Sequence, residues 1–191
     1  MGQRLNIEII NDNREILANC YFHWSGYTTS SLRITEQIIK NLKEKPVSID
    51  KKGAVQILTD IGATFNEESW TKAKEMGVVE GDFPGCEGRD DGLIAVDDKE
   101  MANTRSWEEG RIEINIENNT FNFKCASKIN ITEDEEIWER VSDLFFNIEE
   151  IKSPWQIPFD KIDSLIKGVL TAEEKYRGRF CIGSSSYSSI Y

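Results

Sequence analysis

Histidine is nearly missing from this sequence: a single one, His23, stands among 191 residues. That scarcity excludes a metal centre built on imidazoles, because such sites need closely spaced His and Cys ligands. The four cysteines, Cys20, Cys86, Cys125 and Cys181, lie far apart and form no CxxC pair. With no export signal in view they read as reduced, packed thiols rather than a disulfide framework. No stretch approaches the roughly 18 apolar residues of a membrane-crossing helix. The N-terminus also lacks the basic-then-apolar order of a signal peptide. The expectation is a cytoplasmic protein with no membrane partner.

Clusters of positive charge are missing too. Thirty-four acidic residues against 23 basic ones leave a net charge of −11, and Lys and Arg are scattered. A groove that follows a phosphate backbone needs them grouped, so nucleic acid is not an expected partner. The acidic excess is first of all a solubility charge. The sharper alternative is an acidic surface that imitates nucleic acid and blocks a binding protein. Signature loops are absent as well: there is no Walker A, no GxGxxG and no GxSxG elbow. Asp90-Asp91 and Asp97-Asp98 read as acidic turns rather than cation sites, so neither metal nor cofactor is expected.

What remains is a chain with enough apolar residues, 39%, to bury one sizeable core. Leu5, Ile7 and Ile9 alternate with polar neighbours, as do Ile16, Ala18, Cys20 and Phe22 across the turn-forming Asn11-Asp12-Asn13. This predicts an antiparallel hairpin. A second hairpin is predicted over 111–117 and 121–125, turning at Asn118-Asn119, and a short strand at 93–96. Helices are expected after Ser30 or Ser31, after the cap Asp50, after Asn66 with a stop at Gly77, from the capping box Thr132/Glu135, and near 160–170. Hairpins separated by helix pairs predict an α+β fold with a largely antiparallel sheet. It forms a single domain over 1–183, with a Ser/Tyr-rich tail at 184–191. A glycine-rich loop spans 77–92 and carries Arg89.

The richest stretch is 20–31, where the predicted strand turns into the predicted helix. Tyr21, His23, Trp24, Ser25, Tyr27, Thr28 and Thr29 crowd into it. Aromatic rings can stack a base, while hydroxyls and free first-turn amides can hold a phosphate. Arg4 and Arg89 are the cations to neutralise it, with Arg105, Arg177 and Arg179 as weaker candidates. A small nucleotide-like ligand is therefore the expected partner, with homo-oligomerisation left open. A Ser25–His23 or Cys86–His23 nucleophilic pair has no local support, so no catalytic residue is assigned. A nucleotide hydrolase or transferase using His23 stands as the rival reading.

The start Met1-Gly2-Gln3-Arg4-Leu5, with His23-Trp24-Ser25-Gly26-Tyr27-Thr28, resembles small uncharacterised proteins of Gram-positive bacteria and their phages. In general character the chain also resembles phage proteins that sequester nucleotide immune signals. The resemblance implies a binding protein that counters host defence, with no catalytic group required.

Overall fold

A computed structural model describes residues 4–26, 28–85, 91–105, 108, 110–124 and 156–176. The fold is α+β. Strands β1 (Leu5–Ile10) and β2 (Ile16–Phe22) form the predicted hairpin, with Leu5 opposite Phe22 and Glu8 opposite Asn19. Helices α1 (Thr28–Glu44) and α2 (Lys51–Asp60) follow, then β3 (Thr64–Phe65), α3 (Glu67–Glu75) and β4 (Leu93–Ala95). After α4 (Asp98–Arg105) comes the second hairpin, β5 (Gly110–Asn115) and β6 (Thr120–Lys124). Strand β7 (Ile157–Pro158), a 3-10 turn and α5 (Ile162–Tyr176) complete the described chain.

The seven strands make one sheet in the order β3-β4-β2-β1-β5-β6-β7. Four of the six pairings are antiparallel, as expected. The pairings β1–β5 and β3–β4 are parallel, so the sheet is mixed. A parallel β1–β5 pair needs a long crossover, and the segments between β2 and β5 supply it.

One face carries Leu5, Ile7, Ile9, Ala18, Cys20, Ile112 and Ile114, all fully or almost fully buried. Leu32, Ile38 and Ile39 of α1, Ala54, Val55 and Leu58 of α2, and Leu165, Ile166 and Val169 of α5 pack into the same cluster. Helix starts follow from local chemistry. Asp50 accepts the Gly53 amide at 2.8 Å, and Asn66 accepts that of Ser69 at 2.8 Å. Cys20 is a buried free thiol, and burial pushes its pKa up. Cys86, Cys125, Cys181, the Thr132 capping box and the 184–191 tail lie outside the described residues.

Helix α4 was not expected, since it buries only Met101. It lies over β2 and β4 on the opposite face of the sheet, where Thr104 accepts from Asn19. No described helix is long and apolar enough to cross a membrane.

Candidate functional site

Period-two alternation places Tyr21 and Asn19 of β2, Asn6 and Glu8 of β1, Arg111 and Glu113 of β5, and Asn122 of β6 on one sheet face. The register aligns them in rows: Tyr21, Asn6 and Arg111, then Asn19, Glu8, Glu113 and Asn122. Such a face ordinarily meets water. Here Asn6, Glu8 and Asn19 have no exposed surface, and Glu113 and Asn122 very little.

Buried charges on this face are paired. Glu8 Oε1 lies 2.8 Å from Arg105 Nε and 3.5 Å from Arg111 Nε. Arg111 also donates to both carboxylate oxygens of Glu108, at 3.1 Å to Oε2 and in close contact with Oε1. Glu108 in turn accepts from Asn6 at 2.7 Å. Arg14 reaches Glu113 at 3.3 Å. Burial raises the Glu8 pKa to about 7 in spite of Arg111 and Arg105, which pull it down. For Arg111, burial is outweighed by Glu108, Glu8 and Glu113, and its pKa stays above the ordinary arginine value. Sequence reasoning missed Glu8, Glu108, Arg105 and Arg111 as a group. The available signal was the run of polar residues at alternate positions in both hairpins.

The expected turn residues lie at one end of this face. Tyr21 Oη is 3.1 Å from His23 Nδ1, with the two rings edge-on at 6.2 Å. Trp24 meets His23 edge-on at 4.7 Å and stays 60% exposed. The His23 amide donates to Asp91 Oδ1 at 2.7 Å, and the Gly92 amide donates to the Tyr21 carbonyl at 2.9 Å. The end of the glycine-rich loop therefore clamps the turn. Gly92 adopts a φ of 76°, a left-handed geometry that suits a residue without Cβ. Continuing the β1–β2 register by one residue beyond Leu5 and Phe22 sets Arg4 beside His23.

The helix opens at Thr28, two or three residues before the expected cap at Ser30 or Ser31. Ser31 instead donates its hydroxyl to the Ser25 carbonyl at 2.8 Å, tying the turn to the first helical turn. Thr28 is buried, and among the described residues its Oγ1 has no hydrogen-bond partner. Thr29 is half-buried in the same turn. The structure thus gathers Arg4, Tyr21, His23, Trp24, Ser25, Thr28 and Thr29. Tyr27 and Arg89 lie outside the described residues.

Chemically this is a stacking and hydrogen-bonding surface. Among the described residues the hydrogen bond of the His23 ring goes to the Tyr21 hydroxyl. Among the described residues no group of three or more His, Cys, Asp and Glu is arranged to hold a metal ion. No family model, curated protein or solved structure matches this chain.

Proposed function

We propose that this chain is a cytoplasmic, phage- or prophage-derived protein that binds and sequesters a small nucleotide-like signalling molecule. In this reading the base stacks on Trp24 beside His23 and Tyr21. The phosphate meets Arg4 and the first turn of α1, and no chemistry is performed on the ligand. The observation that carries it is the junction itself. Trp24 keeps most of its surface in water two residues past a buried strand, next to a helix start whose Thr28 hydroxyl is buried without a partner among the described residues. An indole left exposed loses the burial that normally pays for its size, and ligand stacking supplies it. The phage setting comes from the resemblance of the first forty residues.

The test is thermal melting of the purified full-length protein against a panel of nucleotides, including cyclic and oligomeric ones. One class is expected to raise Tm and to come off with unchanged mass after denaturation. Trp24→Ala should weaken that binding by roughly tenfold or more, the range of lost base stacking. Altered mass of the recovered ligand would establish turnover and sink the sequestration reading. If no nucleotide moves Tm, or His23→Ala and Trp24→Ala leave the affinity unchanged, the site is misplaced.

A further inference from the structure

At the end of the polar face remote from His23, the turns of the two hairpins and Gln156 enclose a cleft of about 150 Å³. One water needs only about 10–15 Å³ of such space, so the cleft has room for a small molecule. We propose that it binds a neutral, polyhydroxyl ligand of monosaccharide size. The groups that would meet it are Asp12, Arg14, Glu113, Asn122 and Gln156.

The frame is built before any ligand arrives. Asn115 is fully engaged: its amide nitrogen donates to the Asn11 carbonyl at 3.3 Å and to Asp12 Oδ1 at 3.1 Å. Its oxygen accepts the amides of Glu117 and Asn118 at 3.0 and 3.1 Å. This one side chain locks the two turns together. Arg14 adopts a left-handed φ of 61°, unusual for a residue with a Cβ, while its guanidinium reaches Glu113 at the cleft wall.

Asn122 supplies the observation that points to a ligand. It is 5% exposed and lines the cleft, and among the described residues its Oδ1 has no hydrogen-bond partner. A buried carbonyl without a donor is destabilising, and a donor from the ligand would relieve it. The charges narrow the class. Asp12 and Glu113 outnumber Arg14, which disfavours a phosphate, and the guanidinium disfavours an ammonium. Carboxylates, amides and a guanidinium together offer acceptors and donors at short range. A vicinal diol matches that pattern, because each hydroxyl gives one proton and accepts others.

The experiment is a titration of the full-length protein with glucose, galactose or N-acetylglucosamine, followed by amide proton–nitrogen correlation spectra. Spermidine and inorganic phosphate serve as competing probes. At least one sugar should shift the amides of Asn118, Asn122 and Gln156 and leave that of His23 in place. Gln156→Ala and Arg14→Gly should each weaken binding by roughly tenfold. Gln156→Ala should keep the wild-type Tm, since Gln156 is exposed, and so it is the deciding variant; Arg14→Gly also removes the cation facing the buried Glu113 and should lower Tm as well as affinity. The proposal is overturned if no sugar shifts these amides, if spermidine or phosphate does so instead, or if both variants bind sugar normally. It stands or falls independently of nucleotide binding at the His23 turn.

Discussion

Ile7 and Glu8 are neighbours on β1 and neither has any surface in water, yet they belong to two different kinds of interior. Ile7 enters a layer of aliphatic side chains under α1, α2 and α5, where each group contributes through area removed from water and close packing. Glu8 enters a layer of carboxylates, guanidinium groups and amides in which each buried charge faces an opposite one. An apolar layer tolerates exchange of one hydrocarbon for another. A paired polar layer does not, because deleting one member strands its partner away from water. The sheet therefore separates its tasks: one face holds the fold, and the other fixes the positions of polar groups running from the His23 turn to the Asn122 cleft.

The sharpest way to break this comparison uses two adjacent residues of β5. Arg111→Ala leaves Glu8 and Glu108 buried without their shared cation, and should cost about 3–5 kcal/mol. Ile112→Ala, on the other face, opens a cavity and should cost about 2–5 kcal/mol. Urea unfolding separates them through pH. The Arg111→Ala penalty should shrink at acid pH, where the stranded carboxylates take up protons, whereas the Ile112→Ala penalty should not change. Equal pH dependence in the two variants would show that the charged layer is not energetically distinct.

Glu8 gives the next largest effect. Its folded pKa of about 7 exceeds the ordinary 4.5, so between these values the folded chain holds a proton that the unfolded chain has lost. Stability should therefore fall as pH rises from about 4.5 to about 7, by on the order of 3 kcal/mol, and level off beyond either end. Glu36, Asp50 and Asp97 have lowered pKa values, because side chains and amides hydrogen-bond their charged forms. Their stabilisation is lost only as pH drops through the acid range below Glu8's window. Glu8→Gln should remove the slope between 4.5 and 7 and leave the acid limb intact. A slope that persists in Glu8→Gln would assign it to other groups.

Much of the apolar face was legible in the sequence, and little of the polar one. Alternation at Leu5, Ile7, Ile9 and at Ile112, Ile114, Ile116 exposes both hairpins, and Asp50 and Asn66 mark two helix starts through their capping geometry. The parallel seam between β1 and β5 has no local signal, because its partners stand about a hundred residues apart. Helix α4 lacks an apolar stripe, so periodicity passes over it, although Asp97 capping the Glu100 amide was a usable clue. The burial of Asn6, Glu8 and Asn19 was hidden for a physical reason. Polar residues at alternate strand positions predict a wet face, and only the tertiary arrival of Arg105 and Glu108 makes a dry one tolerable. For the candidate site, Tyr21 and His23 were visible as residues. Their placement beside Arg4 comes only from extending the β1–β2 register by one residue.

The smallest expected effect on stability bears on the division of labour most directly. Thr28 is buried at the start of α1, and its hydroxyl oxygen finds no partner among the described residues. If that hydroxyl served the fold, replacing it by a methyl group of the same shape would cost stability. Thr28→Val should instead change stability by no more than about 1 kcal/mol, and towards greater stability, because an unsatisfied buried hydroxyl is removed at nearly constant volume. The same substitution should weaken the proposed nucleotide binding about tenfold, the loss of one hydrogen bond to a charged group. Melting and titration on one sample decide the matter. A destabilised Thr28→Val with normal affinity would make the junction a structural cap. A stable variant with weakened affinity would mean that the strand-to-helix junction keeps a group in reserve for the proposed ligand.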